Sequence, residues 1–258
     1  MSKAIYKRLR KVQTQQARAA QKREQMGPRP LDRLSDKIPD GLADKLNAAF
    51  YKSFQLIFEK GIGLIEKTYD KRAAVREHRY RDSAVRDGAT AKHLRAVGRR
   101  ARTTVRWGTG AALAEGAALG VLGIGLPDIP VFLAGLLRGL YRIALSFGFA
   151  CESEGERCYL LLLIAAALSQ KDEREQFQEQ AVQAARALDT AQPPKTRLED
   201  CLRAASDRLS REMLTAKFVQ GLPIVGVAGG VRNVSVYRTV TAYAARAYEE
   251  RYLKKQIR

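Results

Sequence analysis

Five ionisable residues stand in unusually apolar surroundings: Glu115, Asp128, Arg138, Arg142 and Lys217. The first four are the only charges in the 43-residue stretch Trp107–Phe149. A charge set among so many apolar residues needs a partner or a function. Two chemistries suit this group. Carboxylates and cations can pair inside a core, or a carboxylate whose pKa is raised by burial can serve as a general acid. No GxSxG elbow, Walker A loop, HExxH or GxGxxG fingerprint accompanies them, and Gly123-Ile-Gly125 lacks the Lys-Ser/Thr of a P-loop. The residues therefore point to structural pairing before catalysis, and no catalytic residue and no cofactor is assigned.

The elements that must position these charges are helical. The apolar stretch splits at Leu126-Pro127-Asp128-Ile129-Pro130. A straight membrane span from Gly116 to Leu137 would place Asp128 near the bilayer centre at a cost of about 3 kcal/mol. The expectation is instead a broken hairpin, buried in the protein or dipping into one leaflet. Its first half carries Gly116-Ala-Ala-Leu-Gly120, a spacing that allows close helix approach. Its second half, residues 129–147, presents Val131, Phe132, Leu136, Leu140, Ile143 and Phe147 on one side, with Arg138 and Arg142 four apart.

The flanking segments also read as helices. Leu42, Leu46, Phe50, Phe54, Ile57, Phe58, Ile62, Ile65 and Tyr69 form one apolar face of an amphipathic helix. Residues 71–106 are helical but polar, with a break at Gly88. Ser153-Glu154-Gly155-Glu156 is a capping box, so its acidic residues read as a cap. It opens a buried helix whose run Tyr159–Leu168 is entirely apolar. Further helices are expected over 171–190, 198–219 and 233–255. Tyr237, Tyr243, Tyr248 and Tyr252 on the last suggest either ordinary amphipathic residues or an interface. Gly221-Leu222-Pro223 echoes Gly125-Leu126-Pro127 as a short repeat. The fold class is thus all-α: a compact multi-helix bundle with a Gly/Pro-interrupted apolar hairpin. Residues 1–41 read as a basic N-terminal arm and linker, in which 1–26 are either a basic Gln/Ala-rich helix or a disordered arm, and 42–258 read as the helical domain.

Charge narrows the partners. The net charge is +19, with apolar content of 46%, ordinary for a folded protein. Nearly all the excess sits in two blocks. Residues 1–37 hold eleven Lys/Arg against three Asp/Glu, and residues 71–106 hold twelve against three. Localised positive charge attracts phosphate on lipid or nucleic acid. Arg95, Arg99, Arg100, Arg102 and Arg106 are the candidate anion-binding residues. Three cysteines, Cys151, Cys158 and Cys201, fit a reducing compartment and no disulfide framework. With only His78 and His93 available, no metal site is expected. No signal peptide is evident, so the expected location is the cytoplasm.

Several motifs together resemble the EcsC protein family. They are Ala114-Glu115-Gly116, Gly125-Leu126-Pro127-Asp128-Ile129-Pro130, Leu137-Arg138 through Ile143-Ala144 to Phe147-Gly148-Phe149, Lys217 with Leu222-Pro223-Ile224-Val225-Gly226, Asn233, and Tyr248-Glu249-Glu250-Arg251-Tyr252-Leu253. The resemblance covers about residues 42–255 and adds Asn233 to the candidate polar residues. Family members often carry an Asp directly after the aromatic-Gly-Phe step, where this chain has Ala150, Cys151 and then Glu152. The resemblance implies a bacterial, largely helical protein without established activity. The founding member's gene neighbours an ABC transporter, which implies membrane-linked work.

The expected function is that of a membrane-peripheral helical protein at the inner membrane, binding anionic lipid or a membrane protein such as an ABC transporter. Two alternatives remain: nucleic-acid binding through the same arginines, and a lipid-acting enzyme using Glu115 and Asp128.

Overall fold

Apolar residues recurring every third and fourth position make helices, and a helix that is apolar all round must lie at the centre. Those two rules account for most of the architecture. The computed structural model describes residues 3–25, 41–61, 63, 65, 69–106, 128–193, 195–219 and 227–257, with the side chains of all but 60–61, 128, 215–219 and 227–233. Among the described residues there is no β-strand.

The helices are α1 (Lys3–Gln25), α2 (Leu42–Leu56), α3 (Lys71–Asp87), α4 (Ala91–Val97), α5 (Asp128–Ser146), α6 (Glu154–Leu168), α7 (Lys171–Asp189), α8 (Leu198–Val219) and α9 (Val227–Lys255). After a turn at Gly98, residues 99–106 are helical again. The hub is α6. Ser153 caps it, its hydroxyl accepting from the Glu156 amide at 3.2 Å, and every residue from Cys158 to Leu168 is buried. Helices α7, α8 and α9 pack around it. In turn α9 lies against α5 and α1, α2 bridges α8 and α5, and α3 covers α5.

Four sequence expectations change. The helix begun at Leu42 does not run evenly to Tyr69, because a wider π-helical turn at Ile57–Gly61 follows α2. Residues 3–25 are no free arm: Ile5 and Val12 are buried, and α1 is tied to α9 by Arg8–Glu249 at 2.6 Å. The tyrosines of α9 do not face an interface. Tyr237, Tyr243, Tyr248 and Tyr252 are all buried in the core. Cys158 and Cys201 are disulfide-bonded across α6 and α8, Cα atoms 5.5 Å apart, where the sequence suggested no disulfide. Forty-three residues separate them, and only the packing of the two helices brings them together.

The second half of the apolar stretch forms α5, starting at Asp128 beside the proline pair as expected. It is the one described helix long and apolar enough to cross a membrane, yet more than half of that stretch is buried against the rest of the bundle. The first half, residues 107–127, lies outside the described residues, as does the Gly221-Leu222-Pro223 echo.

Helix α5 ends at Phe147-Gly148-Phe149. Gly148 has a left-handed φ of 81°, and a Cβ there would collide with the His78 imidazole. The glycine is required twice over, by conformation and by space. His78 Nδ1 lies 3.1 Å from the Ser146 carbonyl and so fastens α3 to the end of α5.

Candidate functional site

Two polar regions compete for the role of functional site. The first is a buried seam on α9. Arg251 donates to Glu156 at 2.6 Å and to Asp189 at 2.9 Å, with its guanidinium 4.1 Å from the Phe149 ring centre and 5.1 Å from that of Tyr159. The Tyr248 hydroxyl donates to Glu156 at 3.3 Å, and the Cys151 sulfur lies 4.0 Å from that hydroxyl. One turn on, Tyr252 and Gln256 donate to Asp82 at 2.8 and 3.0 Å.

The electrostatics make this seam structural. Burial works against the Arg251 charge, but the Asp189 and Glu156 carboxylates outweigh it and raise its pKa. Burial pushes Glu156 above the usual carboxylate range, opposed by Arg251. Burial also raises the Cys151 thiol, so the thiolate that a nucleophile requires is suppressed. The Tyr248 and Tyr252 phenols are pushed up by burial as well. Glu156 and Asp189 are committed to Arg251, and burial favours the protonated form of the Cys151 thiol, so the contacts of this seam are those of a structural network.

The second region is an arginine-rich face on α3, α4 and residues 99–106. The Asp70 side chain caps α3, accepting from the Ala73 amide at 2.7 Å, and Thr90 caps α4. Gly88 ends α3, as the sequence suggested, and the two helices pack side by side. The apolar stripes Ala74–Val85 and Leu94–Val97–Ala101 turn inward. Helical periodicity then forces the intervening arginines outward. Arg72, Arg76 and Arg79 are exposed on α3, beside Tyr80, which is 79% exposed. Lys92 and Arg95 on α4, and Arg99, Arg102 and Arg106 after it, are exposed in the same way.

Acidic residues neutralise little of this face. Glu77 is shared by Arg81 and Arg100, Asp82 takes Arg86 at 2.7 Å, and Lys71 pairs with Glu152. Among the described residues Arg72, Arg76, Arg79, Lys92, Arg95 and Arg99 make no side-chain ion pair. Arg102 donates to the Arg95 carbonyl and so ties the helix after Gly98 to the one before it. Burial lowers its pKa, which nearby Glu249 opposes.

The candidate residues from the sequence divide accordingly. Arg95, Arg99, Arg102 and Arg106 share one exposed helical face, while Arg100 turns to Glu77. Arg138 and Arg142 stand one turn apart on α5, both half-buried. Glu115 lies outside the described residues, as do the side chains of Asp128 at the start of α5, Lys217 on α8 and Asn233 on α9. The single constellation of Glu115, Asp128, Arg138, Arg142 and Lys217 is therefore neither assembled nor dispersed by what is described. Glu152, where the family's Asp was sought, is exposed and held by Lys71.

Sequence reasoning missed Arg72, Arg76 and Arg79, although their spacing of four and three already places them on one helical face. It also missed Arg251, whose position between Tyr248 and Tyr252 was a signal of burial.

No curated protein and no solved structure matches the chain. The EcsC protein family does, over residues 3–253. The match thus takes in α1 as well as the region whose motifs carried the resemblance, and the chain belongs to the EcsC protein family.

Proposed function

We propose that this protein binds peripherally to an anionic membrane surface, with the face formed by α3, α4 and residues 99–106 as its contact. The observation that supports this reading is the row of exposed cations Arg72, Arg76 and Arg79 on α3, Lys92 and Arg95 on α4, and Arg99 just after it, none with a counter-ion among the described residues. Each such charge near an anionic leaflet contributes about 1 kcal/mol. Tyr80 adds an amphipathic ring of the kind that settles among headgroups. Nucleic acid is the weaker partner, because that face offers little aromatic surface for stacking. A lipid-acting enzyme would need Glu115 or Asp128 as its acid; full activity of Glu115→Gln and Asp128→Asn would remove that reading.

Sedimentation with vesicles tests it. Vesicles containing anionic lipid are expected to carry the protein down at low salt and release it as salt rises, while neutral vesicles leave it in solution. Equal sedimentation with both, or none with either, rejects the reading. Tighter binding to a DNA or RNA duplex than to the vesicles, falling steeply with salt, would transfer the face to nucleic acid.

A further inference from the structure

Helix α1 divides its charges between two faces. It carries eight Lys/Arg and a single carboxylate, Glu24. The inward face holds the helix to the bundle. Ile5 and Val12 are buried, Arg8 pairs with Glu249 at 2.6 Å, and Gln16 accepts from Arg246. Near its end, Arg23 donates to the Leu168 carbonyl at 3.2 Å and Glu24 takes Arg174 at 2.7 Å.

The other face meets water. Lys3, Lys7, Arg10, Lys11, Arg18 and Lys22 are all exposed, and none makes a side-chain ion pair among the described residues. Spacings of three, four and seven put them on one side of α1, in a row about 28 Å long.

This row works against its own helix. Lys3 and Lys7, Lys7 and Lys11, and Arg18 and Lys22 are like charges one turn apart, which destabilise a helix. Lys3 also stands at the positive end of the helix dipole, and the first turn holds no acidic residue to offset it. Glu249 and Glu24 are committed on the inward side. Counter-charge for the row must therefore come from outside the helix. Its neighbour is cationic as well, since α1 packs against α4, which exposes Lys92 and Arg95.

We infer that the outer face of α1 is a second contact with the anionic leaflet, so that the protein lies on α1 and α4 together. This contact rests on the membrane reading for its partner. Charge complementarity points to lipid headgroups. A leaflet spreads its charge over a plane, so a straight row of cations meets it along its whole length. Four of the six cations are lysines, hydrated point charges that suit diffuse attraction better than a bidentate grip on one phosphate. From Lys7 to Lys22 the helix has no aromatic ring on which a base could stack.

Lysine footprinting of the wild-type chain tests this without any variant. An amine-reactive reagent is applied with and without phosphatidylcholine vesicles containing phosphatidylserine, and mass spectrometry locates the modified lysines. The anionic vesicles are expected to slow modification of Lys3, Lys7, Lys11 and Lys22. Lys45 and Lys52, exposed on α2, and Lys195, exposed after α7, should react as before. No protection on α1, or equal protection of all seven, overturns the inference.

Variants give the size of the effect. Lys7→Gln, Lys11→Gln, Arg18→Gln together should weaken vesicle affinity about a hundredfold. Lys45→Gln, Lys52→Gln, Lys195→Gln remove the same charge and should weaken it far less; equal losses overturn the inference. If the α1 variant binds as wild type while Arg72→Gln, Arg76→Gln, Arg79→Gln does not, the α1 contact falls and the membrane reading stands. The reverse result keeps the α1 contact and removes α3 from the face. A wild type that ignores anionic vesicles removes both. Protection of the α1 lysines by duplex DNA but not by vesicles hands the row to nucleic acid and overturns the inference.

Discussion

Arg251 and Arg76 carry the same charge in opposite circumstances. Arg251 is 6% exposed and held by two carboxylates and two aromatic rings; Arg76 stands in solvent on α3 with no counter-ion among the described residues. The first arrangement spends its electrostatics inside the fold, and the second leaves them available to something outside it. Breaking the buried pair therefore gives the largest effect. Arg251→Met strands Glu156 and Asp189 and should cost about 3–5 kcal/mol of unfolding free energy in a urea titration. Arg76→Met should stay within about 0.5 kcal/mol. Similar losses at both sites would erase the distinction between them.

Binding should invert that ranking. Replacing Arg72, Arg76 and Arg79 together by Gln removes about 3 kcal/mol of attraction to an anionic leaflet, on the order of a hundredfold in vesicle affinity. The same variant should unfold at the wild-type urea concentration. A lower midpoint alongside weaker binding would mean that these arginines support the fold, and the face would lose its separate role.

The difference between the regions also explains what could be read from the sequence. Periodicity is local, so α5, α6 and the break at Gly88 were legible, as was the Ser153 cap. The outward arginines are legible too, because exposure follows from which residues of the same helix are apolar. Pairing is not local. Arg251 meets Glu156 across 95 residues, Tyr252 meets Asp82 across 170, and Cys158 reaches Cys201 only through the docking of α8 on α6. The tyrosines of α9 looked interfacial because a phenol is amphipathic. Two of them are buried with a distant carboxylate for the phenol: Glu156 accepts from Tyr248 and Asp82 from Tyr252 inside the core.

Two glycines sharpen the contrast at smaller scale. Gly148→Ala forces a side chain into a left-handed backbone and against His78, and should cost about 1–3 kcal/mol. Gly88, at the turn between α3 and α4, has extended backbone and open space around it. Gly88→Ala should be neutral or stabilise by about 0.4–1 kcal/mol through the unfolded chain. A loss at Gly88 as large as that at Gly148 would show that the basic hairpin is as tightly constrained as the core.

The smallest effect is a slope with pH, and it arises at the edge of the seam. Burial lowers the His78 pKa below its usual 6.5, against the Ser146 carbonyl and Asp82, which favour the proton; Arg86 and Lys255 oppose it. As pH falls below 6.5 the unfolded chain takes up a proton that folded His78 resists. The unfolded state then binds more protons, and stability declines with falling pH. Glu156 acts in the other direction. Its raised pKa means that the folded state holds the extra proton, so its contribution improves as pH falls from the folded value towards 4.5. A raw stability profile mixes the two. The difference between wild type and His78→Gln isolates the first, since a glutamine side chain carries no titrating proton and Glu156 is common to both. Melting temperatures from about pH 7.5 to about pH 5.5, a window that brackets the ordinary imidazole pKa, should fall less for His78→Gln than for wild type, and parallel profiles would show that the imidazole titrates as freely as one in water.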